Sequence, residues 1–243
     1  GQKPDILGWH QHTTDGNFES TCVIPESNGE KMLYVVVKRR INGVDRRFIE
    51  RMHSRIFEDV RDAFHVDSGL SYDDPQTITA ATQANPVVIT ATSHGFSNGD
   101  VVQITDVGGL GTDTGMTELN GNRYTVASAT TNTFALQDTA ATPANVNGSS
   151  YTAYVSGGKA RKEITTVTGL HHLIGESVTI LADGSVMPSQ TVSATGSITL
   201  AQGAGRIHIG LPFMSDLRTL PLVFAKAEAL GQGRFKSPTK VHL

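Results

Sequence analysis

Lys31-Met32-Leu33-Tyr34-Val35-Val36-Val37-Lys38-Arg39-Arg40-Ile41-Asn42-Gly43-Val44 is the stretch that decides the fold class. Its first half is rich in β-branched and aromatic residues, which suit a pleated, half-buried strand. Asn42-Gly43 then places two residues that tolerate positive φ between β-favouring runs, the strongest short-range hairpin signal. Residues 46–51 form the returning strand. On the N-terminal side, Glu26-Ser27-Asn28-Gly29 is a turn, and the apolar-rich residues 18–25 form a further strand. The reading is a three-stranded meander over residues 18–51.

Further along the chain, Ile56, Val60 and Phe64 recur at helical spacing and predict a short helix over residues 57–64. His65 to Asp73 returns to strand and turn. At residue 77 the composition changes. Residues 77–158 hold 16 threonines and no cysteine, and a single basic residue, Arg123, stands against Asp100, Asp106, Asp113, Glu118 and Asp138. Such a shift marks a separate module. Within it, short apolar runs alternate with turns at Asn98-Gly99-Asp100 and Asn120-Gly121, as in a compact β-barrel or sandwich, and Gly157-Gly158 serves as the exit hinge. Strands then resume over residues 164–168, 177–182, 191–193, 197–200 and 206–212, with Asp183-Gly184 as a hairpin turn. A last strand pair is expected from residue 219 onward, joined by the loop Gly231-Gln232-Gly233.

The bulk properties narrow the function. The 243 residues allow one large or two modest domains. With 18% charged residues and a net charge of -3, the chain is neither polybasic nor an acidic tail. The lone cysteine, Cys22, excludes an internal disulfide framework and a multi-cysteine zinc site. No apolar run approaches the roughly 18 residues of a membrane-spanning helix. The chain opens on Gly1 without a methionine or signal peptide and ends on a strand-like Val241-His242-Leu243, which reads as a fragment of a longer protein.

Candidate chemistry is sparse. His10 and His12 share a strand face but lack the further ligands a metal needs. His171 and His172 would point to opposite faces of an extended chain. Cys22, between Thr21 and Val23, reads as a buried small hydrophobe rather than a nucleophile. His65, Asp67 and Ser68 lack a Gly-x-Ser-x-Gly elbow, and Asp73-Asp74 before Pro75 reads as a turn. The densest positive charge is Lys38, Arg39 and Arg40 with Arg46 and Arg47 across the hairpin. It suits contact with DNA phosphates or an acidic neighbouring subunit, but solvated side chains on an edge hairpin are the favoured reading. Tyr151 and Tyr154, spaced three apart, could stack on sugar rings if exposed, and core or interface packing is an equal alternative.

Several segments together resemble bacteriophage tail proteins of the tail-tube or nozzle type from short-tailed phages and prophages. They are Trp9-His10-Gln11-His12, the 35–43 hairpin, Phe48-Ile49-Glu50-Arg51 and Val66-Asp67-Ser68-Gly69-Leu70-Ser71-Tyr72. Gly169-Leu170-His171-His172-Leu173-Ile174-Gly175-Glu176-Ser177-Val178, Leu181-Ala182-Asp183-Gly184 and His208-Ile209-Gly210-Leu211-Pro212-Phe213 complete the set. In that group the Ser-Gly-Leu-Ser-Tyr segment leads quickly into the Gly-Leu-x-His-Leu segment. Here roughly 90 residues intervene, so residues 77–162 read as an insertion in a surface loop. Asn85-Pro86-Val87-Val88-Ile89, His94-Gly95-Phe96-Ser97-Asn98-Gly99-Asp100 and Leu119-Asn120-Gly121 resemble the first catalytic cysteine half-domain of ubiquitin-activating enzymes. The insert has no cysteine, so no thioester chemistry is carried over.

The expected architecture is all-β: a discontinuous sandwich or barrel framework (1–76 and 163–243) with an inserted small β-barrel (77–162) and at most one or two short helices. The resemblance implies a non-enzymatic virion tail component, assembled in the bacterial cytoplasm as a homo-oligomer with other tail subunits and passing DNA transiently. No cofactor is implied. The alternative is a host-glycan-binding module acting through residues 77–158.

Overall fold

Asn42 and Gly43 take φ values of 46° and 76°, the left-handed pair that a tight hairpin turn requires. The computed structural model describes residues 12–26, 29–54, 57, 59–109, 111 and 114–214, with the backbone of 225–226 and 229–230. The turn joins strand β2 (Lys31–Ile41) to β3 (Val44–Arg51), and β1 (Asn17–Pro25) pairs with the other side of β2. Both pairings are antiparallel, with Cys22 opposite Tyr34 and Val37 opposite Phe48. The expected meander is present, and β2 is its central strand rather than an edge.

The helix expected over residues 57–64 is not formed. A single 3₁₀ turn, Val60–Asp62, takes its place, capped by the Asp59 carboxylate on the Arg61 N–H at 2.9 Å. Val60 is 76% exposed, so the apolar spacing does not correspond to one buried stripe. Ile56 lies outside the described residues. Phe64 instead stacks on His53 (5.0 Å, 8°) and meets His208 edge-on.

Strand β4 (Asp67–Asp73) leads directly into β5 (Pro75–Thr77) and β6 (Ala80–Ala81). There follow β7 (Val88–Thr90), β8 (Val101–Val107), β9 (Arg123–Ala127), β10 (Thr133–Gln137) and β11 (Gly157–Lys162). These seven strands, β5 to β11, form one sheet in the order β5-β11-β8-β9-β10-β7-β6. Its two end strands, β5 and β6, are separated by only two residues. The chain itself therefore ties one edge of the sheet to the other and curls it into a barrel. Alternation does the rest: Val102 and Ile104 of β8, Tyr124 and Val126 of β9 point into a core completed by Phe134 and Leu136.

Past this sheet come β12 (Ile164–Val167), β13 (Ser177–Ala182), β14 (Ser185–Thr191), β15 (Ile198–Ala204) and β16 (Arg206–Leu211). β12 pairs with β15, and a four-stranded sheet runs β14-β13-β16-β4. β16 thus lies directly against β4, with Ile209 opposite Leu70, across the whole intervening segment. Gly69 and Gly210 make that approach possible. A Cβ on Gly210 would lie 2.6 Å from the Asp67 carbonyl and 2.7 Å from the Gly69 Cα. A second core, separate from the first, collects Leu170, Leu173, Val178, Ile180, Ile207 and Ile209, with Ile41 from the meander.

The fold is all-β, with three 3₁₀ turns as its only helical elements among the described residues. Gly1–Phe213 form one compact unit. In the second, Met214–Leu243, β17 (Ala225–Lys226) pairs with β18 (Ala229–Leu230). The glycine loop at 231–233 and the basic residues beyond it lie outside the described residues, as does His10.

Candidate functional site

The basic hairpin is largely neutralised within the chain. Lys38 pairs with Asp45 at 2.8 Å and Arg40 reaches the same carboxylate at 3.4 Å. Arg47 pairs with Glu19 across the sheet at 2.7 Å. Arg39 is only 2% exposed, and its Nε and Nη2 each donate to the Glu50 carboxylate at 2.7 Å. The hydrogen bond from Arg47 holds the Glu19 carboxyl below its usual range, and Lys38 does the same to Asp45. Arg46 is exposed and has no ion pair among the described residues. The hairpin does lie at a sheet edge through β3, and Lys38, Arg40, Arg46 and Arg47 reach solvent as expected; Arg39 alone is corrected, being buried on central β2, and few free cations remain to meet a phosphate backbone.

For Tyr151 and Tyr154, core packing rather than an exposed pair is found. Both are half-buried against the core of the seven-stranded sheet. The Tyr154 hydroxyl lies 3.1 Å from the Ile78 carbonyl and 2.9 Å from that of Gly157, tying the strands that lead into and out of this sheet. Cys22, expected to be buried, is exposed on β1. All nine residues of β1 are exposed, because the strand has a neighbour on one side only and neither core reaches it.

The ionic centre that the sequence did not reveal lies where the seven-stranded sheet joins the rest. β5 and β11 run side by side there, with Pro75 opposite Arg161. Arg161 is 2% exposed. It donates from Nε to Asp73 at 2.6 Å and from Nη1 to the Thr105 hydroxyl at 3.1 Å. Arg206 of β16, 5% exposed, pairs with Asp62 at 2.7 Å and Asp59 at 3.4 Å. Its Nε stands 3.5 Å from Asp73, an ion-pair distance without hydrogen-bond geometry. Asp73 is thus shared by both buried guanidiniums and is no mere turn residue. The hydrogen bond from Arg61 holds the Asp59 carboxyl far below the usual range. Arg123 with Glu163, and Lys162 with Asp100 at 2.7 Å, add further pairs around β11. A cavity of about 240 Å³ opens beside this centre, lined by Asp59, Asp62, Asp106, Lys159 and Arg206. Its carboxylates already face arginines. Among the described residues no three acid, histidine or cysteine side chains converge to hold a metal ion.

The other candidates do not converge either. Asp67 accepts from the Thr14 hydroxyl at 2.6 Å, and the Ser68 carbonyl meets His172 Nε2 at 2.8 Å. His171 and His172 sit on a 3₁₀ turn, not a strand. His208 is buried, which pushes its pKa down. Its Nε2 meets the Arg61 carbonyl at 3.0 Å and its Nδ1 meets the Ser71 hydroxyl at 2.7 Å. This Ser–His contact joins directly opposed residues of β4 and β16 and satisfies a buried imidazole. A charge inside an otherwise apolar strand, as at Arg206, was the one sequence signal for this region.

The fold and its surfaces define an all-β protein with a curled sheet set into a second β framework. Residues 84–163 match the family of the ubiquitin-activating enzyme E1 FCCH domain. That match agrees with the resemblance noted for the insert, spans about a third of the chain and coincides with strands β7 to β11. No curated protein matches the chain. Among the described residues no helix is long and apolar enough to cross a membrane.

Proposed function

We propose that the chain is a structural component of a phage tail, of the tail-tube or nozzle kind, acting through subunit contacts rather than catalysis. It is assembled in the host cytoplasm and retained in the virion. The observation that carries this reading is the four-stranded sheet. Ser68-Gly69-Leu70-Ser71-Tyr72, Leu181-Ala182-Asp183-Gly184 and His208-Ile209-Gly210-Leu211 are three of the segments that resemble tail proteins. They lie together in β4, β13 with its turn, and β16, and the glycines of two of them touch. A motif order that spans an insertion yet assembles into one sheet is what a conserved framework with a tolerated loop insertion would produce.

The ion pairs around Arg161 and Arg206 support a mechanical role for the insert. They tie Arg161 of β11 to Asp73 at the end of β4, and Asp73 to Arg206 of β16, which fixes the junction of the insert with the framework. The half-buried Tyr151 and Tyr154 weaken the alternative of a glycan-stacking platform on residues 77–158. Negative-stain electron microscopy of the intact chain tests the proposal, alongside binding of the same protein to host surface polysaccharide. Closed symmetric assemblies without glycan binding are expected. Saturable glycan binding by a monomer would replace this reading with an adhesive one.

A further inference from the structure

Five of the twelve large hydrophobic side chains exposed among the described residues lie on the β1–β3 sheet: Phe18, Val23, Ile24, Val44 and Ile49. Small antiparallel sheets need a covered face or further strands to persist in water. Met32, Val37, Arg39 and Ile41 of β2 are buried along its length, whereas every residue of β1 is exposed, so among the described residues the cover of this sheet does not extend to β1.

The two open edges differ. β3 carries Asp45, Arg46, Arg47, Glu50 and Arg51 within eight residues, the charged pattern that discourages strand addition. β1 carries a bulge between Phe18 and Ser20, one charge at Glu19 and a proline at its last position. Between them, residues 20–24 (Ser-Thr-Cys-Val-Ile) have no charge, proline or bulge. They form an unguarded edge with apolar side chains on both faces.

We infer that β1 is the contact by which a second copy of this chain docks, antiparallel and about a two-fold axis at Cys22. The register follows from the sequence. Centred on Cys22, an antiparallel pair sets Ser20 against Ile24 of the partner subunit and Thr21 against Val23 of the partner subunit. All five unguarded residues are paired, and Glu19 falls opposite Pro25 of the partner subunit instead of another carboxylate. Such a contact is isologous, each copy offering the same strand. The inference rests on the proposed role in assembly but specifies a surface that the role does not require.

The test uses the chain's single cysteine. Directly opposed residues of an antiparallel pair have Cα atoms about 4.5–5.5 Å apart, within disulfide range. Mild oxidation of the native full-length chain is expected to give a disulfide-linked dimer, reversed by reductant and suppressed in denaturant. Without oxidant, sedimentation equilibrium is expected to show a dimer. Cys22→Lys, at an exposed site, sets two like charges on the axis and is expected to weaken association at least about tenfold. Val23→Lys, also exposed, is expected to weaken it while circular dichroism stays unchanged. A chain that remains monomeric overturns the inference. So does one that assembles without Cys22 cross-linking and indifferently to Cys22→Lys, and that second outcome leaves the proposed structural role standing.

Discussion

The seven-stranded sheet of the insert and the three-stranded sheet of β1–β3 are built from similar β-favouring runs, yet they dispose of their apolar side chains in opposite ways. Phe134, Ala135 and Leu136 of β10 are all buried, whereas Phe18, Val23 and Ile24 of β1 all face solvent. The cause is closure. Residues 77–80 carry the chain from one edge of the insert sheet to the other, so the sheet acquires an inside. Three strands form an open ribbon with two faces and two edges, and among the described residues its cover reaches β2 but not β1. One region encloses its own core, and the other leaves β1 exposed.

The comparison can be broken most severely from within the insert. Phe134→Ala opens a cavity among His94, Phe96 and the core strands and is expected to cost about 3–5 kcal/mol in denaturant unfolding. Arg206→Ala removes the guanidinium shared by Asp59, Asp62 and Asp73. These carboxylates are partly solvated, so the expected loss is about 3 kcal/mol, at the low end for breaking a buried ion pair.

Asp59 gives a pH dependence. Its folded pKa is depressed by the Arg61 hydrogen bond, so its contribution is complete above the unfolded value of about 3.9. That contribution is lost as the pH falls below that value toward the folded one. Asp59→Asn is expected to lower stability at pH 7 by about 2 kcal/mol and to flatten the acid limb of an unfolding-versus-pH curve. Ile49→Ser, on the open sheet, sharpens the contrast from the other side. The side chain is 79% exposed, so thermal unfolding of the monomer is expected to change by no more than about 0.5 kcal/mol.

The sequence was most legible where short-range chemistry decides the structure. Asn42-Gly43 and Asp183-Gly184 each adopt the positive φ values their turns need. The change in composition at residue 77 falls at the last residue of β5, two positions after the seven-stranded sheet begins at Pro75. Long-range pairing was not legible. Arg161 meets Asp73 across 88 positions, and no local periodicity encodes such a contact. The helix over 57–64 is cut to one 3₁₀ turn: Asp59 caps it, Asp62 is drawn to Arg206, and Val60 has no core to face. Cys22 was misplaced because apolar strand composition says that a side chain can be buried, but topology decides whether anything is there to bury it.

Hydrogen–deuterium exchange of the intact chain at increasing protein concentration tests the contrast most directly. Backbone amides of β10 are expected to exchange slowly at every concentration, while those of β1 are expected to slow as concentration rises. If β1 exchanges at the same rate throughout, the open sheet does not await a second copy, and the account of it as a subunit contact is wrong.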